Sequence, residues 1–306
     1  MAGLVPAIGR GTCGGSDGRD KLGHDGASAV GESTATAVGM IPTMDKIAIC
    51  AIFKDEAPYL LEWLAFHKVI GVDHFVLYDN GSVDGGADVI RGSGLAKYVT
   101  LIAWSDRPGQ LSAYRHFHAN HARDFAWAAF IDLDEFIVPA PDSSIRDILL
   151  RNVYARYSDI LLNWLVFGAS DHTRRPDGLV VENFTRRLRD NAEGNRHVKS
   201  LVRTKDLVRI GSTPHIFDCS GPTCNTRGET VMSYAVQPAV CHDVMAINHY
   251  FTKSAEEWDF KRRRGRGDSL EPYSDRIFAA VQQQATVEDI RALRFVPRIR
   301  ALLATG

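Results

Sequence analysis

The stretch Trp127-Ala128-Ala129-Phe130-Ile131-Asp132-Leu133-Asp134-Glu135-Phe136 sets an unbroken apolar run directly ahead of three acids. A run with no polar alternation reads as a strand buried on both faces, and such strands belong to parallel sheets covered by helices. The acids then fall at the strand's carboxyl end, where open α/β sheets bind their ligands. If the backbone stays extended, Asp132 and Asp134 share one face while Leu133 turns to the core. Two carboxylates so placed make an oxygen site for a hard divalent cation. The plainer alternative is a polar turn that follows a strand.

Working outward, Lys46-Ile47-Ala48-Ile49-Cys50-Ala51-Ile52-Phe53 is a second buried strand, ended by Lys54-Asp55-Glu56-Ala57-Pro58. Acids followed by proline mark a helix start, and Leu60, Leu61, Trp63, Leu64 and Phe66 follow at helical spacing until Gly71 closes the helix. A strand at His74-Phe75-Val76-Leu77-Tyr78 then runs into Asp79-Asn80-Gly81-Ser82-Val83-Asp84. This is a βαβ unit, and its strand ends bring Asp55, Glu56 and Asp79 to one edge of the sheet. A short helix near Ala87 to Ile90, a strand from Val99 to Trp104 and a helix from Gln110 to Asp124 complete three crossovers ahead of the central strand.

Beyond the acids the pattern loosens. A helix is expected near Ser143 to Arg151, a strand over Ile160 to Trp164, and a hairpin from Lys199 to Arg203 and Val208 to Ile210. Residues Gly211 to Gln237 read as irregular. A last strand, Ile247 to Phe251, precedes a helix from Ser254, with Glu256 and Glu257 early and Lys261 to Arg264 late, as the helix dipole favours. Two further helices, near 275 to 284 and 287 to 303, finish the chain.

With 306 residues the chain can bury a full core. The expected division is a disordered segment over 1–44, an α/β domain over 45–270 and a helical extension over 271–306. The first segment is rich in Gly, Ser, Ala and Thr and has little apolar surface with which to offset ordering entropy; an over-long start to the reading frame would explain it. A formal net charge of -1 gives no long-range field to gather nucleic acid, so any phosphate site must be local. The basic run Lys261-Arg262-Arg263-Arg264-Gly265-Arg266 is accordingly read as a solvated helix end near the site rather than as a nucleic-acid or membrane patch. Five scattered cysteines argue against a disulfide framework and fit a reducing interior. No stretch approaches the roughly 20 apolar residues of a membrane helix.

These pieces in this order resemble nucleotide-sugar-dependent glycosyltransferases of the GT-A fold, within them the bacterial family 2-like group related to family 92. The likeness rests on Asp55-Glu56, Glu62-Trp63, Asp79-Asn80-Gly81-Ser82-x-Asp84, Phe130-Ile131-Asp132-x-Asp134-Glu135-Phe136, Trp164-x-x-Phe167-Gly168 and His249-Tyr250-x-x-Lys253-Ser254, over residues 46 to 265. It implies a Rossmann-like, mostly parallel sheet flanked by helices with a less regular C-terminal part. It also implies that Asp55, Glu56 and Asp79 contact the nucleoside, that Asp132 and Asp134 hold a metal on the diphosphate, and that His249 adds a late ligand.

The chemistry of the residues agrees in part. A diphosphate is repelled by two bare carboxylates, so a cation must lie between them. Oxygen donors with one imidazole suit Mn²⁺ and tolerate Mg²⁺. Lys253 and Arg115 are candidate diphosphate partners. The reaction implied is sugar transfer from a nucleoside diphosphate to an acceptor hydroxyl, on a glycan or a lipid-linked molecule, with inversion. An inverting displacement needs a general base, for which Glu135, Asp171 and His172 are the candidates. A catalytically silent binding protein on the same fold and a metal-dependent nucleotidyltransferase are the alternatives. The expected location is the cytoplasm, with peripheral contact to the inner face of the membrane.

Overall fold

The computed structural model describes residues 45–266, 273, 274 and 276–305. The segment 1–44, expected to be disordered, lies outside them. Strand β1 (Ile47–Phe53), helix α1 (Ala57–Val69), strand β2 (His74–Asp79), helix α2 (Gly86–Arg91) and strand β3 (Val99–Ala103) follow the expected crossovers. Helix α3 (Gln110–Asn120) leads into the central strand β4 (Trp127–Phe130). Strand β5 (Glu135–Pro139), helix α4 (Ile145–Leu149), strand β6 (Asp159–Val166), helix α5 (Val180–Asn183) and strand β7 (Arg186–Leu188) come next. Strands β8 (Val198–Arg203), β9 (Leu207–Ile210), β10 (Phe217–Cys219), β11 (Thr223–Asn225) and β12 (Met245–His249) precede helices α6 (Ala255–Arg264) and α7 (Arg276–Gln284), strand β13 (Ala285–Glu288) and helix α8 (Val296–Ala304).

The main sheet has the order β3-β2-β1-β4-β8-β6-β12-β5, with β11 beside β6. Its first four strands are parallel, and β1 is buried on both faces. Ile47, Ile49, Ala51 and Phe53 face the core that contains Leu60, Trp63 and Phe66 of α1, whereas Ala48 and Cys50 face Ala113, Tyr114 and Phe117 of α3. Period-two burial on both sides of one strand is the reason its sequence shows no polar alternation. Helix α1 ends where expected: Gly71 has φ +106, a conformation that costs other residues a Cβ clash, and Gly71 and Val72 N–H donate back to Lys68 and His67 carbonyls.

Four expectations change. Strands β8 and β9 do not pair as a hairpin: β8 lies antiparallel between β4 and β6, and β9 pairs with β10. Strand β5 was not anticipated, because the acids beside it masked an apolar run that pairs antiparallel with β12. Residues Gly211 to Gln237, expected to be irregular, contain β10 and β11. The C-terminal residues are not purely helical, since β13 pairs with β7, and Ala292, Phe295 and Ile299 join the core under α1, with the Phe295 ring 5.3 Å from that of Phe66.

Glu62, on α1, is buried and accepts hydrogen bonds from Val180 N (2.7 Å) and Val181 N (3.1 Å), which ties α1 to the start of α5. Burial pushes its carboxyl up to about 7, against the bonds that pull it down. A carboxyl raised in the folded state stabilises fully below its unfolded value near 4.3 and loses that contribution as pH climbs through the folded value, here roughly 3 kcal/mol. Urea unfolding between pH 4 and 8 should show this decline in the parent and a flatter profile in Glu62→Gln. An identical slope in both would show that Glu62 does not titrate in the folded protein.

Candidate active site

The sheet's carboxyl edge opens into a cleft of about 330 Å³. Ile52, Phe53, Lys54 and Glu56 from the end of β1 line it, with Asn80 after β2, Gln110 of α3 and the acids after β4. Asp132 and Asp134 are not on an extended strand. Strand β4 stops at Phe130, and Leu133-Asp134 form a turn before β5, so the two carboxylates do not repeat along a pleat. Leu133 does turn into the core.

Asp132 is held from below. Its Oδ1 accepts from Gln110 Nε2 (2.6 Å) and its Oδ2 from Lys199 Nζ (2.9 Å), while its N–H donates to Glu135 Oε2 (2.9 Å). Lys199 on β8 is fully buried and also lies 3.6 Å from Glu135. Burial works against the ammonium, but Asp132 and Glu135 outweigh it and raise its pKa. Glu135 is itself fully buried, and burial pushes its carboxyl up to about 8.

Asp134, also buried, faces the cleft with Lys261 Nζ at 2.5 Å and His249 Nε2 at 3.5 Å from its Oδ2. Burial would raise its pKa, yet Lys261, followed by His249, holds it well below the usual carboxylate range. His249 sits at the end of β12, buried, with its pKa lowered by burial against the pull of Asp134. The ring is therefore suited to act as a neutral ligand.

One carboxylate oxygen and one imidazole nitrogen 3.5 Å apart, opening on a common cleft, fit two positions around a single Mn²⁺ or Mg²⁺. Asp132 fits less well, because both of its oxygens already accept hydrogen bonds, whereas Asp134 has one oxygen so engaged, Oδ2, by Lys261. Among the described residues no group of three or more His, Cys, Asp and Glu side chains is arranged to hold a metal. Asp134 and His249 are thus the two described side chains that would hold such an ion.

A second wall is cationic. Ser254 caps α6, its Oγ accepting from Glu257 N while Glu257 bonds back to Ser254 N. Lys261 and Arg264, three residues apart, share the face of α6 turned to the cleft, and Arg266 follows. Arg264 Nη1 donates to Glu56 Oε1 (2.5 Å) and to the Lys54 carbonyl (2.6 Å). The basic run expected to be a solvated helix end instead supplies three residues to the site. A third wall is aromatic: Trp164 of β6 stacks on His197 (ring centres 4.9 Å, 19° between planes), meets His249 at 4.3 Å and has His215 against its edge at 5.4 Å.

Of the residues singled out from sequence, Glu56, Asp132, Asp134 and His249 line this cleft. Asp79 and Asp55 shape its neighbourhood: Asp79 Oδ1 accepts from Ser82 N and Asp55 Oδ1 from Val83 N, both at 2.8 Å, and Asp55 has φ +52. Glu135 lies behind the acids. Asp171 is exposed and paired with Arg186 at 2.5 Å, His172 Nε2 meets the Asn183 carbonyl at 3.1 Å, and neither lines the cleft. Arg115 is on the exposed face of α3, and Lys253, with φ +49, is buried with its Nζ 4.0 Å from the Tyr59 ring. Gln110, Lys199, His197 and His215 were not anticipated as site residues, and Trp164 was singled out only as part of the family likeness, without a role. Lys199 carried a signal, since a lone lysine in Val198-Lys199-Ser200-Leu201-Val202 must find a carboxylate if that strand is buried.

Acids, an imidazole and basic side chains thus converge at the carboxyl edge of an α/β sheet, the edge at which open sheets of this class bind their ligands. The profile of glycosyltransferase family 92 matches residues 45–262, and the chain belongs to that family. It is 31% identical over 163 residues to a glycosyltransferase family 92 protein of Oryza sativa subsp. japonica, covering 53% of this chain and 27% of that protein. It is 30% identical over 207 residues to one of Ricinus communis, covering 62% of this chain and 35% of that protein. The chain therefore spans about a third or less of these relatives' lengths. Among solved structures, S. aureus TarS 1-349 in complex with UDP aligns with a TM-score of 0.35 at 12% identity, over 52% of this chain and 47% of that one. Glucosyl-3-phosphoglycerate synthase from Mycobacterium tuberculosis, in complex with Mn²⁺, UDP and glucosyl-3-phosphoglycerate, aligns with a TM-score of 0.30 at 12% identity, over 53% of this chain and 58% of that one.

Proposed function

We propose that the chain transfers a sugar from a nucleoside diphosphate to an acceptor hydroxyl with inversion, with a divalent cation as cofactor. The observation that carries this reading is the convergence of Asp134 and His249, 3.5 Å apart, with Lys261 and Arg264 in one cleft. Membership of the family supports the reaction class.

Asp134 and His249 are the residues that would hold the cation, which when bound supplies Lewis-acid stabilisation of charge on the leaving diphosphate. Lys261 and Arg264 now pair with Asp134 and Glu56, and in the complex they present their charge to phosphate oxygens instead. Glu56 and Asn80 form the nucleoside end of the cleft. Asn80 is fixed for this by its Nδ2, which donates to the Trp104 and Asp106 carbonyls, each at 3.0 Å. Asp132, locked by Gln110 and Lys199, keeps the acid turn rigid. The acceptor is a glycan or a lipid-linked molecule. Among the described residues no helix is long and apolar enough to cross a membrane. A cytoplasmic site of action, with peripheral contact to the membrane's inner face, belongs to the same proposal.

Sugar nucleotides offered in turn with Mn²⁺ or Mg²⁺ test the reading. One donor should raise the melting temperature and be hydrolysed slowly, and both effects should vanish with chelator. If no nucleoside diphosphate binds, or if pyrophosphate is released from a triphosphate, sugar transfer is the wrong chemistry.

A further inference from the structure

We propose that His215 is the general base, its Nε2 taking the proton from the acceptor hydroxyl; this rests on the sugar-transfer reading above. Among the described residues every carboxylate that lines the cleft is already engaged: Glu56 by Arg264, Asp132 by Gln110 and Lys199, and Asp134 by Lys261. The two acids and one imidazole singled out from sequence as bases fare no better, since Glu135 lies behind the acid turn and Asp171 and His172 do not line the cleft. Two imidazoles in the cleft are not committed to Asp134, namely His197 and His215.

His215 is the better placed of the two. Its Nδ1 lies 2.8 Å from the Val198 carbonyl, against 3.2 Å from His197 Nδ1 to the Gly194 carbonyl. A carbonyl only accepts, so Nδ1 of His215 carries the ring proton and Nε2 carries the lone pair. Among the described residues no hydrogen bond engages that Nε2. Burial, seconded by Lys199, lowers the ring's pKa to about 4, although Asp132 and the Val198 bond oppose this. The ring therefore stays neutral at pH 7 with a basicity comparable to that of a carboxylate, the group it replaces.

Its position suits the reaction. Trp164 touches all three rings: His249, which pairs with Asp134, lies 4.3 Å from it, His197 stacks on it at 4.9 Å and His215 meets it edge-on at 5.4 Å, and among the described residues neither of the latter two rings contacts that of His249 directly. The leaving diphosphate belongs with His249 and the cations, so the incoming hydroxyl belongs with His215. In the step, the acceptor oxygen forms its bond to the anomeric carbon as the bond from that carbon to the diphosphate oxygen breaks. The electron pair leaves with the diphosphate, and the hydroxyl proton passes to Nε2, then to water.

The test uses donor hydrolysis, in which water stands in for the acceptor, beside UDP binding followed by melting temperature with Mn²⁺. His215→Ala should lose about 10²- to 10⁴-fold in turnover, the usual range for a general base, keep the UDP-induced shift, and recover activity when imidazole is added. His215→Asn can still donate to the Val198 carbonyl but holds no basic nitrogen, so it should be as slow as the alanine variant. Near-parental turnover in His215→Asn would show that only the structural hydrogen bond matters and would overturn the assignment while leaving sugar transfer intact. A parent protein that neither binds UDP nor hydrolyses any sugar nucleotide would overturn both.

Discussion

Asp134→Asn is expected to lose at least about 10²- to 10³-fold in turnover, the cost typical of removing one preorganised electrostatic contact from an active site. Asparagine keeps the shape of the aspartate, so the turn before β5 survives, but the amide is a poorer ligand for a hard cation and offers no charge to pair with it. Stability should fall as well. Asp134 is buried and its Oδ2 lies 2.5 Å from Lys261, so the substitution leaves an ammonium beside a neutral amide in a site with little solvent. Breaking one side of a buried ion pair typically costs about 3–5 kcal/mol, and Lys261, at the mouth of the cleft, recovers part of this by turning to water. The measurement is donor hydrolysis across a Mn²⁺ titration, with the melting temperature followed in parallel. Activity within a few-fold of the parent at unchanged metal dependence would remove the cation from the mechanism and leave Asp134 as a partner for Lys261 alone.

That result bears on how the site was read from sequence. The parallel half of the sheet was legible because β1 and β4 are buried on both faces, which leaves an apolar run that only a covered strand produces. Their carboxyl ends could then be placed at one edge without knowing any contact. What failed was the local geometry after β4: an extended backbone was assumed through Asp134, whereas the chain turns there so that β5 can pair with β12 more than 100 residues later. Long-range antiparallel pairing leaves no short-range signature, which is also why β8 was expected to form a hairpin with β9. The cations of α6 were visible as a run but were assigned to solvent, because nothing in Lys261 to Arg266 states which face of the helix meets the acids. His215 sits in a segment read as irregular, and Trp164, though placed on a strand and within the family likeness, gave no sign of the rings it meets; only the fold brings the two together.

Lys199→Met is expected to cost the fold about 3–5 kcal/mol, a large part of the 5–15 kcal/mol that holds a typical domain together. Methionine matches the length of the lysine stem and fills the same space on β8, so the loss is electrostatic. Lys199 is fully buried, 2.9 Å from Asp132 and 3.6 Å from Glu135, and its removal leaves two carboxyls facing each other across the gap. Glu135, already pushed up to about 8 by burial, answers by holding its proton more firmly. Asp132 keeps its bond from Gln110 at Oδ1 and its place at the cleft but loses the ammonium beside its Oδ2. The uncompensated charge therefore falls mainly on Asp132. Lys199→Met combined with Asp132→Asn removes both partners, and it should recover most of the lost stability, since replacing a whole buried pair is often neutral. Urea unfolding of the two single variants and the double variant measures the coupling. Strict additivity in that cycle would mean that the lysine and the aspartate stabilise the fold independently, and that the acid turn is held by something other than the charge beneath it.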